Sequence, residues 1–146
     1  MKEIIFKTSK DWTGLIIRLT IGIILFPHGA QKMLGVFGGY GFSGTMGFFT
    51  GMMHLPWLIG FLVIVIEFIG SLSLIVGFAS RVWSVLVIIE MLGAIITTHL
   101  SNGFFMNWAG SQKGEGFEFH LLIIGLALAV IMNGSGKFSF DEKIAT

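Results

Sequence analysis

The sequence predicts an all-α fold, a four-helix transmembrane bundle formed by one integral membrane domain, residues 1–146. Three observations predict it. Hydrophobic residues make up 54% of the chain and charged residues only 12%, which is not the composition of a soluble domain. Four apolar windows come close to the about 20 residues that a helix needs to cross a hydrocarbon core. They cover about 12–34, 55–78, 82–100 and 117–133. Because a backbone in lipid must satisfy its own hydrogen bonds, these windows are predicted as helices despite their Ile, Val and Phe content.

The connection between the first two helices, residues 35–54, is rich in glycine and phenylalanine. Seven glycines are interleaved with five aromatic residues, Phe37, Tyr40, Phe42, Phe48 and Phe49. Glycine gives the backbone freedom, and aromatic rings favour the lipid interface. We therefore predict a re-entrant or interfacial segment here, with a mobile aromatic-rich loop as the alternative.

The other connections and the flanking charges predict topology. Only Ala79, Ser80 and Arg81 link the second and third helices, so these two should be antiparallel neighbours. Positive residues are retained on the cytoplasmic side. One side carries six of them and the other two, namely Lys2, Lys7, Lys10, Arg81, Lys137 and Lys143 against Lys32 and Lys113. The sequence thus predicts a multi-pass protein of the cell inner membrane, in contact with lipid, with both termini in the cytoplasm.

Three glutamates lie inside or at the edge of the apolar windows, and we take them as candidate catalytic residues: Glu67, Glu90 and Glu118. A charged side chain at the centre of a membrane helix costs at least ~2.5 to 3.5 kcal/mol, so such residues need partners or a function. Glu67 has Gly60, Gly70 and Ser71 on its helix face, which admits another helix beside it. We expect its carboxyl group to face the interior of the bundle.

Five basic or imidazole side chains are candidate cofactor-binding residues: Arg18, His28, Lys32, His99 and His120. His28 and Lys32 are four residues apart and share a helix face. On ideal helices His99 points away from Glu90, and His120 away from Glu118. A purely structural alternative is that Arg18 and Lys32 neutralise two of the glutamates. Two cations would leave one of three carboxyl groups to hold a proton, a histidinium, a metal or a substrate cation, which favours a functional polar cavity.

Several classes of function lack the residues they need. The chain has no cysteine, which excludes disulfides, thiolate metal sites and covalent haem attachment. It has no Glu-x-x-His repeat of a di-iron bundle, so no metal ligand is assigned and neither a metal nor haem is favoured as cofactor. A formal net charge of +1 gives no electrostatic reason to expect nucleic acid as a partner.

The order of these features resembles the DoxX family of small bacterial membrane proteins. The resemblance rests on Arg18, the run from His28 to Lys32, the Gly/Phe-rich connection, and the runs Glu67-Phe68-Ile69-Gly70, Gly116-Phe117-Glu118-Phe119 and Gly134-Ser135-Gly136. It implies a four-helix membrane protein. Since some members of this family are linked to quinone-coupled sulfur oxidation or to defence against quinones and oxidants, it also implies an oxidoreductase component that engages a quinone or another small redox-active molecule.

Three functions remain open at this point. The first is a redox subunit in which Arg18 and His28 hold the quinone oxygens and a glutamate exchanges protons. Because no residue here stores electrons, such a subunit needs a bound cofactor, a quinone or a partner subunit. The second is a transporter or channel for protons, ions or a small molecule. The third is a non-catalytic accessory subunit, alone or as a homo-oligomer, whose polar residues only set packing.

Overall fold

A computed structural model describes residues 5–145, and it is all-helical, with no β-strand in that range. The all-α part of the predicted fold class is therefore confirmed. The helices are α1 (Trp12–Leu34), α2 (Gly41–Gly47), α3 (Trp57–Val76), α4 (Ser80–Asn102), α5 (Glu118–Asn133) and α6 (Phe140–Ala145). The four apolar windows agree with α1, α3, α4 and α5 to within two residues at each end.

Local signals set the limits of α1. The side chain of Asp11 accepts a hydrogen bond from the Gly14 amide at 2.7 Å and caps the first turn. Gly35 ends the helix in the left-handed conformation, with φ of 75°, and its amide bonds to the carbonyl of Gln31. Pro27 lies inside the helix, which continues beyond it.

Three helices, α1, α3 and α4, are long and apolar enough to cross a membrane. The fourth predicted span, α5, has 16 residues. At about 1.5 Å per residue it covers about 24 Å, less than the roughly 30 Å of a hydrocarbon core. The structure thus supports three membrane spans by length and composition, and the fourth remains a prediction.

The bundle core is apolar and is built by α1, α3, α4 and α5. Its fully or nearly buried members are Ile21, Leu25, Ile66, Leu74, Val87, Met91, Ile123, Ala127 and Val130. The α3 and α4 helices follow each other after a connection of three residues, Gly77 to Ala79, and Gly70 of α3 packs against the Trp83 ring of α4. The expected neighbouring pair is present.

The Gly/Phe-rich connection is helical over much of its length. It forms α2 and continues as one π-helical turn, Phe48–Met52. Met46 and Phe49 of this segment are buried against Ile64 of α3, while Tyr40 is 83% exposed. The segment is therefore packed onto the bundle. Its position relative to lipid, re-entrant or interfacial, remains a prediction.

Candidate functional site

An ion pair inside the bundle joins Lys32 and Glu67. The Lys32 Nζ atom lies 2.5 Å from Glu67 Oε2, so the last turn of α1 forms an ion pair with the middle of α3. The side chain of Lys32 is 25% exposed and that of Glu67 is 10% exposed. The Lys32 side chain is thus the more exposed member of the pair.

Glu90 of α4 lies beside this ion pair. Its carboxyl group interacts electrostatically with both Glu67 and Lys32. Both Glu90 carboxyl oxygens are buried, and neither accepts a hydrogen bond from a donor among the residues that the structure describes. If one of the two acids is protonated, the Glu67 carboxyl group is a hydrogen-bond partner for Glu90. Two carboxyl groups therefore face one ammonium group. Charge balance at this place requires one further positive charge, which a proton or a bound ligand can supply.

The backbone brings this acid cluster (Lys32, Glu67 and Glu90) together in two ways. The α1 and α3 helices touch at Gly29, where an added Cβ atom would lie 2.4 Å from the carbonyl carbon of Glu67. In addition, Glu67 belongs to a π-helical turn, Ile66–Gly70, that interrupts α3. Single π turns inside α-helices frequently occur at functional sites.

Arg18 pairs with none of Glu67, Glu90 and Glu118, so the structural alternative in which Arg18 and Lys32 each neutralise a glutamate holds for Lys32 alone. It is 1% exposed, and its guanidinium group uses all five N–H groups on main-chain carbonyl oxygens. The acceptors are Ser135, Leu74, Ile75, Lys137 and Phe138, at 2.5 to 3.1 Å. Arg18 also lies 14 residues before Lys32, about 21 Å along α1. It joins the end of α3 to the chain after α5.

The chain after α5 packs against the bundle through buried polar residues. Asp141 is 1% exposed, and its carboxylate accepts hydrogen bonds from the Ala79 and Ser80 amides and from the Ser135 hydroxyl. The hydroxyl oxygens of Ser135 and Ser80 are 2.7 Å apart. No role for Asp141 was predicted from the sequence. The polar residues after Gly134 were the available signal.

The two histidines near the other end of α4 and α5 contact each other. The ring centroids of His99 and His120 are 4.1 Å apart. His99 Nδ1 lies 2.8 Å from the carbonyl oxygen of Glu115, and since a carbonyl oxygen only accepts, Nδ1 carries the proton. The Nδ1 atom of His120 is buried and has no partner within residues 5–145.

A π-helical turn explains why an ideal helix did not predict this contact. His99 ends the turn Ile95–His99. One extra residue in a turn rotates the following face by about 100°, since an α-helix has about 3.6 residues per turn. The side chain of His99 is thereby brought round toward α5.

The remaining predicted residues lie outside the acid cluster. Glu118, at the start of α5, accepts a hydrogen bond from the Met106 amide at 2.8 Å. It also lines an open groove of about 500 Å³ together with Met106, Trp108, Phe119 and Leu122. His28 is exposed on α1. The three glutamates and Arg18 are therefore distributed over the acid cluster, the groove at Glu118 and the Arg18 network, and do not surround one polar cavity.

No metal centre is built by the described part of the chain. Residues 5–145 contain no group of three or more His, Asp or Glu side chains that could hold a metal ion. The arrangement that remains is a buried acid pair with one ammonium group. Such an arrangement can hold, accept and release a proton inside the bundle.

Comparison with known proteins identifies relatives of the whole chain. The sequence is 33% identical over 130 residues to the Bacillus subtilis (strain 168) protein named "Putative oxidoreductase CatD", which covers 89% of this chain and 85% of that protein. It is 25% identical over 142 residues to "Inner membrane protein YphA" of Escherichia coli (strain K12), covering 94% of each chain. No solved structure matches significantly.

The sequence model of the DoxX family matches residues 14–100, which is more than half of the chain. This range contains nearly all of α1, all of α2 and α3, nearly all of α4, and all three members of the acid cluster. The similarity to "Inner membrane protein YphA" and the three apolar helices both indicate that the protein is a membrane protein. The chain belongs to the DoxX family.

Proposed function

We propose that this protein is a quinone-interacting component of a membrane oxidoreductase, in which the acid cluster exchanges protons with the quinone. The observation that carries the proposal is the position of Glu90, whose two buried carboxyl oxygens lack a hydrogen-bond donor and lie beside the Lys32–Glu67 ion pair. The relative named "Putative oxidoreductase CatD" supports redox chemistry. A quinone also suits a site that is reached through lipid.

The chemistry fits these three residues. Reduction of a quinone to a quinol takes up two electrons and two protons. The ammonium group of Lys32 donates a hydrogen bond to a carbonyl oxygen of the quinone. The Glu67–Glu90 pair passes protons to the quinone oxygens as reduction makes them basic. The electrons come from a partner redox protein that carries a two-electron donor such as a reduced flavin, because no side chain of this protein stores electrons.

The test uses protein purified in mild detergent. Extracted lipids are assayed for quinone, and binding of decylubiquinone is measured for the wild type and for E67Q and E90Q. Decylubiquinone reduction is then measured in membranes that contain the protein and its native partners. We expect both variants to lower turnover about 100-fold or more, within the range of lost acid–base catalysis. E142Q, an acid in α6, is the control. The proposal would be overturned if the purified protein neither contains nor binds quinone and if E67Q and E90Q reduce decylubiquinone as fast as the wild type.

A second candidate function is proton-coupled transport. The same unbalanced carboxyl pair favours it, because an acid that is protonated and deprotonated inside the membrane is how many transporters couple protons to a solute. Protein in liposomes loaded with a pH-sensitive dye distinguishes the two candidates. Proton flux that is lost in E90Q, without any effect on quinone turnover, would replace the redox proposal with transport.

We propose further that α5 completes a fourth crossing and that both termini are cytoplasmic. The distribution of Lys and Arg supports this topology. Because the chain has no cysteine, single cysteines report location without background. In intact cells, a membrane-impermeant maleimide should label G110C in the loop after α4 and leave A145C unlabelled. Labelling of A145C in intact cells would contradict the orientation.

A further inference from the structure

We propose that Gly29 is the positioning residue of the acid cluster, so that the absence of a side chain at this one position sets the contact between Lys32 and Glu67. This inference rests on the proposed function, because it assigns a role in that same site. Gly29 touches no ligand and carries no reactive group. Its effect is exerted entirely through the distance between α1 and α3.

The geometry at Gly29 leaves no room for even one methyl group. An added Cβ atom would lie 2.4 Å from the Glu67 carbonyl carbon, 2.5 Å from its oxygen and 2.5 Å from the Phe68 nitrogen. These three atoms are main chain, so no rotamer change can relieve the clash. An alanine here must push the two helices apart or rotate them, since carbon atoms in contact prefer a separation of about 3.5 to 4.0 Å.

The clash lies beside the Lys32–Glu67 ion pair, where a displacement of α3 changes the contact on which the proton chemistry depends. Lys32 is three residues after Gly29, on the same side of α1. Glu67, the residue that Gly29 touches, is also its ion-pair partner, at 2.5 Å. Moving α3 away by about 1 Å lengthens that contact beyond the distance of a strong charge-assisted hydrogen bond. Glu67 and Glu90 would then lack the ammonium group that their arrangement requires.

The same helix offers a matched control. Gly22 is seven residues earlier on α1 and also packs against α3, where an added Cβ atom would lie 2.8 Å from Ile75 Cγ1 and 2.9 Å from the Ser71 carbonyl oxygen. A methyl group there disturbs the same helix pair but lies ten residues, nearly three turns, away from Lys32. G22A therefore reports general loosening of the packing, and G29A reports the placement of the ion pair.

The experiment measures the contact itself. Dicyclohexylcarbodiimide, a membrane-permeable reagent, activates buried carboxyl groups and joins an amine to a carboxylate in contact with it, with loss of water to the reagent. Mass spectrometry of the wild type should show an amide link between Lys32 and Glu67. G22A should retain it, and G29A should lower its yield about fivefold or more, which corresponds to ~1 kcal/mol of lost association. This readout is independent of quinone turnover.

A second readout separates positioning from packing. G29A should change the pH profile of decylubiquinone reduction in the same way as E67Q, and adding G29A to E67Q should change the profile no further. Equal link yields in G22A and G29A would overturn the inference, as would a G29A protein that fails to fold where G22A folds. If G29A loses the Lys32–Glu67 link while decylubiquinone reduction is unaffected, Gly29 still positions the ion pair, and the proposed function is wrong instead.

Discussion

The carboxylate of Asp141 accepts a hydrogen bond from the Ser80 amide at 3.0 Å, although 61 residues separate the two in the chain. The Ala79 amide donates to the other carboxylate oxygen at 2.6 Å. The first residues of α4 provide no side-chain cap of their own. A residue near the C-terminus therefore caps the start of a helix in the middle of the chain, and its negative charge also suits the positive end of the helix dipole.

Replacement of Asp141 by asparagine should destabilise the folded protein by about 2 kcal/mol, the upper part of the range for a lost helix cap. An asparagine side chain has one acceptor oxygen, so it can accept a hydrogen bond from only one of the two main-chain N–H groups that the carboxylate binds. The replacement also removes the negative charge. Thermal unfolding in detergent measures the change. E142Q is the neighbouring control, since the Lys10–Glu142 pair is 3.5 Å long with Lys10 64% exposed, and it should change stability much less.

Replacement of Arg18 by lysine should cost about 3 kcal/mol of stability, because an ammonium group cannot reach the five carbonyl oxygens that the guanidinium group holds. Quinone affinity, measured on the variant below its unfolding temperature, should stay within about twofold of the wild type, since Arg18 lies about 21 Å from Lys32 along α1. A variant of unchanged stability that no longer binds quinone would restore Arg18 as a ligand of the quinone.

The limits of the apolar helices could be predicted from the sequence because they depend on local properties. A run of apolar residues, a capping Asp11 and a terminating Gly35 act within one turn of the helix that they define. Burial of Glu67 was also predictable, since it lies in the middle of such a run. The assignment of charged partners was not, because partners are chosen across helices.

Arg18 shows why the candidate site was only partly predictable. Its acceptors are main-chain carbonyl groups of residues 56 to 120 positions later. Because every residue has such a carbonyl group, the sequence does not indicate which ones will accept a hydrogen bond from Arg18. His99 shows a second reason. The π-helical turn before it changes the direction of the side chain, and the ideal period of 3.6 residues cannot represent that insertion.

The cap of α1 predicts a pH effect outside the membrane. The Ser9 hydroxyl, the Gly14 amide and the Asn133 side chain donate hydrogen bonds to Asp11, and they hold its pKa below the ordinary value of 3.8. A lowered pKa in the folded state means that the contribution to stability is present above the ordinary value and is lost as the pH falls through the lowered pKa. The stability difference between wild type and D11N should therefore be constant above about pH 5 and should shrink below about pH 4. Unfolding curves recorded from pH 3 to pH 7 check this, and a difference that grows on acidification would contradict it.

The acid cluster predicts that replacing Lys32 and Glu67 together should destabilise the protein by less than the sum of the two single replacements. Removal of Lys32 alone, as K32M, leaves two buried carboxyl groups without a counter-charge, and E67Q leaves a partly buried ammonium group with only Glu90 for compensation. Because Lys32 is 25% exposed, we expect a cost of about 2 to 3 kcal/mol for K32M, at or below the lower end of the range for broken buried ion pairs. The double variant K32M/E67Q removes both charges together. It should recover at least about 1 kcal/mol relative to the sum of the single changes, as expected for residues in contact.

Thermal unfolding of the four proteins in one detergent gives this coupling free energy directly. The combination K32M/D141N is the control, since Lys32 and Asp141 belong to separate networks and their effects should add within about 0.5 kcal/mol. The prediction concerns stability and does not depend on whether the protein binds a quinone. Additive effects of K32M and E67Q would mean that the 2.5 Å contact contributes nothing to the fold, and the acid cluster would lose its physical basis.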